Sequence, residues 1–282
     1  MRGRLPGLLV AILVLLAGFG VAKESREPYF WLRGGDLLRP KPAPIEMALA
    51  GGLAGRLYDD TRPHTGKIAR LQKGLVLALN DREVVEEGFG FGLPMVEVSG
   101  QAYLARTATA APAGEGSLVK RYTLDTVDTP SGFLRRKYEP VTPIGTVVVT
   151  YTRQGGGLDV DVDLGGLTAQ WQRVYVMNEQ GAGVFTRYEE PGQEAVVLPG
   201  DGRAQWEPTQ SRRGCLLAEE QPKPLRYCVE TEVDLVKRYG RERYNQYYWL
   251  GTYSLSWAGI DIEVPAGTRL LHYRISLEQA SD

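Results

Sequence analysis

From Leu71 onward, apolar and polar residues alternate with a period of two almost without relief. Leu75, Leu77 and Leu79 share one parity ahead of an Asn80-Asp81 turn, and Val84-Val85 opens the return strand. Successive side chains of a strand point to opposite faces, so this pattern predicts half-buried β-structure. The clearest hairpin joins residues 146–153 to 158–164 across 154–157. In its second strand Leu158, Val160, Val162 and Leu164 take one face and Asp159, Asp161 and Asp163 the other, as in a sheet with one wet side. Residues 95–98 and 102–106 flank Ser99-Gly100-Gln101 as a second, shorter hairpin. Further strands are predicted at 173–177, 195–198, 215–218, 226–233, 247–257, 260–264 and 270–277. Only 233–243 carries a trace of a 3.6-residue stripe.

Before residue 71 the pattern changes. Arg2 and Arg4 precede residues 5–22, which are uncharged and almost wholly apolar. A basic start, an apolar run and small residues at Gly20 and Ala22 predict a secretory signal cut after Ala22. The same run, about 27 Å long as a helix, also suits an uncleaved membrane anchor. Residues 23–68 read as an irregular stem, stiffened by Pro40, Pro42 and Pro44. Within it, 45–57 fits a short helix or a glycine-broken strand, and Gly51, Gly52 and Gly55 argue against the helix. The expected architecture is all-β: residues 69–282 form one large antiparallel two-sheet β-sandwich, of supersandwich size, behind an N-terminal apolar helix.

Composition adds three constraints. The chain has 282 residues, 43% of them apolar, which is enough to build a sizeable core. A formal charge of −1 gives no general attraction to nucleic acid or anionic lipid, so no nucleic-acid partner is expected. The two cysteines, Cys215 and Cys228, flank a segment whose midpoint is Gln221-Pro222. A hairpin turning there sets them opposite each other and predicts a disulfide, which persists in an oxidising compartment. Both features agree with a secreted or single-pass anchored protein whose β domain lies on the extracytoplasmic side. The membrane is then a partner through residues 5–22 if that segment stays uncleaved.

Candidate chemistry is sparse. Asp159, Asp161 and Asp163 lack the glycine and glutamate spacing of a calcium loop, and strand geometry spreads them about 7 Å apart. Two histidines and two cysteines that pair with each other leave no usual zinc ligand set, so no metal site is expected. Gly88, Gly90 and Gly92 are followed by a strand rather than a helix, which suits a bend or bulge and not a phosphate loop. No cofactor is expected. The loop holding Asp59, Asp60, Arg62, His64 and Lys67 gathers five ionisable groups, either as a charged collar or as an acid–base or anion site. The stretch with Tyr248, Trp249, Tyr253 and Trp257 is the most aromatic. Period two groups Trp249, Tyr253, Leu255 and Trp257, which favours a core face over a sugar platform. Three classes of function follow, first a non-catalytic binder of polysaccharide or another surface component, and second a carbohydrate-active enzyme using carboxylate, Tyr and Arg groups. A protein-binding scaffold is the third.

Overall fold

The computed structural model describes residues 43–59, 71–79, 82–83, 89–129, 138–180, 185–198, 205–218, 224–247 and 251–279. The N-terminal helix expected at 5–22 lies outside them. The described residues are nearly all β, 71% of them in strands, with no α-helix among them.

The first four strands make a small antiparallel sheet in chain order: β1 (Ile45–Ala48), β2 (Leu53–Leu57), β3 (Val76–Leu79) and β4 (Arg82–Glu83). Residues 45–57 are therefore two paired strands, with Gly51 and Gly52 in left-handed backbone at the turn between them. The sheet structure thus begins inside the predicted stem. Met47, Leu53 and Leu57 join the main core.

The remaining strands form one fifteen-stranded antiparallel sheet. In chain order they are β5 (Gly90–Val98), β6 (Gln101–Gly114), β7 (Ser117–Asp128), β8 (Tyr138–Pro140), β9 (Gly145–Gln154) and β10 (Gly157–Leu167). Then come β11 (Arg173–Gln180), β12 (Arg187–Glu189), β13 (Val196–Val197), β14 (Gln205–Pro208) and β15 (Arg213–Ala218). The last four are β16 (Leu225–Thr231), β17 (Leu235–Tyr247), β18 (Gly251–Val264) and β19 (Leu270–Gln279). Across the sheet the order runs β13, β12, β15, β16, β19, β10, β9, β7, β6, β5, β11, β18, β17, β14, with β8 attached to β7.

The predicted hairpins at 95–106 and 146–164 form as read, in β5–β6 and β9–β10. Ser99 and Gly100 both have positive φ, the backbone that a two-residue hairpin turn requires. The trace of helix at 233–243 is overturned, because those residues enter β17, which pairs with β18 and β14. The single strand predicted at 247–257 is also corrected: β17 ends at Tyr247 and β18 starts at Gly251, and the two pair with each other.

The path turns at β6. Only Gln101–Tyr103 pair with β5, while the rest of β6 pairs with β7. Two register shifts, at Leu104/Ala105 and Ala105/Thr107, follow at once. Bulges of this kind bend a strand and sharpen its twist. The edge of β5 left open by this departure is filled by the chain entering β3. Leu75 and Phe91 exchange backbone hydrogen bonds at 2.9 Å each, and the Gly74 N–H donates to Phe89 O at 2.6 Å.

Four interior tyrosines then tie distant strands together. Tyr151 donates to Phe91 O at 2.6 Å and Tyr122 to Lys73 O at 3.1 Å. Tyr227 donates to Asn178 O at 3.0 Å and Tyr273 to Asn178 Oδ1 at 2.8 Å. Burial pushes the hydroxyl pKa of all four upward.

Candidate functional site

The densest chemistry lies where β11, β18 and β17 run side by side. Glu179 pairs with Gly259 on one side of β18, and Arg238 pairs with Gly259 on the other. A Cβ built on Gly259 would come within 2.6 Å of Glu179 Cγ and 3.2 Å of Asp261 Oδ1. The bare glycine therefore leaves the space in which flanking side chains meet. Arg238 Nη1 donates to Glu179 Oε1 at 2.5 Å and to Met177 Sδ at 3.0 Å, and lies 3.8 Å from Asp261 Oδ2.

Glu179 and Asp261 are both 0% exposed. Burial raises the pKa of Glu179, and the Arg238 guanidinium opposes that rise. Burial pushes Asp261 well above the ordinary carboxylate range; the Glu179 charge adds to this and Arg238 again opposes it. Asn178 knits the site to the rest of the fold. Its N–H donates to Asp261 Oδ1 at 2.9 Å, its Nδ2 donates to Ile260 O at 3.1 Å, and its Oδ1 accepts the Gly92 N–H at 3.1 Å. Gly92 has positive φ and sits where the β5–β11 register shifts, as expected of a bend in this glycine run. Glu179 Oε2 and Asp261 Oδ2 are sealed from solvent without a hydrogen-bond partner. Two acids of raised proton affinity beside one guanidinium can hold a proton, and their burial withholds them from a substrate in this conformation.

Beyond this junction the sheet narrows. β11 pairs with β18 only from Ala258 to Val264, and β14 pairs with β17 only from Val236 to Tyr239. From Gly240 and Trp257 outward, β17 and β18 pair only with each other among the described residues, through Arg241↔Ser256, Arg243↔Ser254, Tyr244↔Tyr253 and Tyr247↔Gly251. Among the described residues they form a two-stranded ribbon.

The sequence-predicted residues fall as follows. Tyr253 and Trp257 are on the β18 part of this ribbon and at its base, while Tyr248 and Trp249 lie outside the described residues. Asp59 follows β2, half-buried, with Oδ1 sealed and lacking a hydrogen-bond partner. Asp60, Arg62, His64 and Lys67 lie outside the described residues, so Asp59 alone of that loop is placed. The disulfide forms: Cys215 faces Cys228 across β15 and β16 and is bonded to it. His272 is exposed between buried Leu271 and Tyr273, and its Nδ1 is 2.8 Å from Asp161 Oδ1. The other aspartates of that row are engaged separately, Asp159 with Arg274 at 4.0 Å and Asp163 Oδ1 with the Gly165 N–H at 2.8 Å.

Sequence reasoning missed Glu179 and Asp261, and gave Arg238 no part in an acid cluster. The available signal was weak: three polar residues, Asn178-Glu179-Gln180, directly after Val174-Tyr-Val-Met177 look like a turn rather than a strand continuing into the core. Compared with known protein families, curated proteins and solved structures, the chain matches none.

Proposed function

We propose that this chain is an exported, non-catalytic β domain that binds a polysaccharide or a similar surface component through the β17–β18 ribbon. The observation carrying the reading is the ribbon itself, which among the described residues runs past its last lateral neighbours, with Tyr244 paired to Tyr253 and with Arg241 and Arg243 in the same strand. A lone two-stranded ribbon is marginal in water and gains from packing on something else. Aromatic rings stack on sugar faces, and arginines suit acidic groups. The proposed architecture is a sandwich made by folding the fifteen-stranded sheet at β6, a reading supported by the four tyrosines that reach across the interior. Export is supported by the basic-then-apolar start of the sequence and by the Cys215–Cys228 bond, which suits an oxidising compartment.

A second reading, a carbohydrate-active enzyme, draws on Glu179 and Asp261, whose raised proton affinities resemble those of general acids. Their complete burial ranks it below the first. Co-sedimentation with chitin, cellulose and peptidoglycan tests the leading proposal. The full-length protein should be retained by at least one polymer, and Tyr244→Ala with Tyr253→Ala should abolish retention without lowering the melting temperature. Failure of the unaltered protein to bind any of the three, or recovery of the full-length chain from the cytoplasm of a bacterial host, would sink it.

A further inference from the structure

We infer that Arg106 anchors an anion-binding site at β6, its guanidinium suited to a small oxyanion bearing a carboxylate, phosphate or sulfate group. Arg106 lies in β6 within the second register shift, between Ala105 and Thr107, and has no cross-strand partner in β7. Its backbone is fixed on both sides. The N–H donates to Asp125 Oδ1 at 2.8 Å, and the carbonyl accepts Gln72 Nε2 at 2.7 Å. The carboxylate of Asp125 is engaged elsewhere too: Thr107 Oγ1 donates to Oδ2 at 2.6 Å and Thr126 Oγ1 to Oδ1 at 3.2 Å. None of these bonds reaches the guanidinium.

That guanidinium is an anomaly among the buried cations. Arg106 is only 9% exposed, and its Nε and Nη1 are sealed from solvent with no hydrogen-bond partner. By contrast, Lys120 Nζ donates to Lys73 O at 2.6 Å, Lys237 Nζ pairs with Glu207 Oε2 at 2.7 Å, and Arg238 pairs with Glu179. A buried carboxylate escapes its burial cost by taking a proton, but arginine stays charged at any ordinary pH. An uncompensated buried charge is costly, so a counter-charge from outside the chain is favoured. The planar fork of donors matches the flat or tetrahedral oxygens of an oxyanion.

Thermal melting of the full chain in sodium phosphate, sulfate and acetate, each against chloride at equal ionic strength, provides the test. At about a hundred times the dissociation constant, one of these ions should raise the melting temperature by about 3 °C or more over chloride. Arg106→Met should remove that rise. Acetate as the strongest ion assigns the site to carboxylates, and phosphate or sulfate as the strongest assigns it to phosphoryl or sulfuryl groups. Equal melting in all four salts, or an undiminished rise in Arg106→Met, overturns the inference. Should the variant not fold, calorimetric titration of inorganic phosphate, sulfate and acetate into the unaltered protein decides alone, and lack of saturable binding by all three is the negative result.

Discussion

Glu179 and Arg238 stand on strands separated by β18, and only the Cα of Gly259 lies between them. With Asp261 beside them, the group carries a formal charge of −1 with both carboxylates closed to water, so retaining one proton relieves the imbalance. The direction of the Asp261 shift follows from burial first and from the Glu179 charge second. The sign for stability is then fixed. The folded protein keeps a proton that the unfolded chain releases near pH 4, so this contribution is complete below that value and is lost as pH rises toward the folded pKa. Urea midpoints of the unaltered protein should therefore decline as the pH rises above about 4 more steeply than those of Asp261→Asn, whose amide imitates the protonated acid. Parallel profiles would place the linkage on other groups.

Between elements, turn chemistry decided what the sequence could disclose. Cys215 and Cys228 were legible because their symmetry about Gln221-Pro222 in the sequence predicts a strand register, and β15 and β16 pair in that register. Closing a loop of this length is worth roughly 3 kcal/mol on the chain-entropy model. Replacing both cysteines with alanine should lower stability by about that amount while leaving the β-sheet circular dichroism unchanged; an unaltered urea midpoint would contradict it. The ribbon was less legible. Tyr248-Trp-Leu250 between its strands offers no glycine, proline or asparagine to announce a reversal, so 247–257 reads as one continuous strand. Likewise the run of charged residues from Lys237 to Arg243 suits a helix locally, and β17 is set instead by its neighbours β18 and β14.

For the whole molecule, period two reveals which face of a strand is wet but not which strand lies alongside. The row Leu158, Val160, Val162 and Leu164 is buried as the alternation required, and Leu271, Tyr273, Ile275 and Leu277 likewise. The pairings of β10 with β19 and of β11 with β18 join segments far apart in the chain, and no local pattern encodes them. The acid junction shared this fate, because Glu179 on β11 meets Arg238 and Asp261 of the β17–β18 pair only through the distant β11–β18 pairing. The small sheet shares its core with the large one and is hydrogen-bonded to β5 through Leu75. Urea unfolding followed by circular dichroism and by tryptophan fluorescence should accordingly give one coincident transition; two separated steps would show the small sheet folding on its own. The position of β19 has a consequence in time. This strand, near the C-terminal end, slots between β10 and β16, which are made much earlier. While the chain is being synthesised, both of those strands present raw edges of unpaired N–H and C=O groups. The interval before residues 270–279 emerge is when the nascent chain is most open to mispairing and has most need of a chaperone.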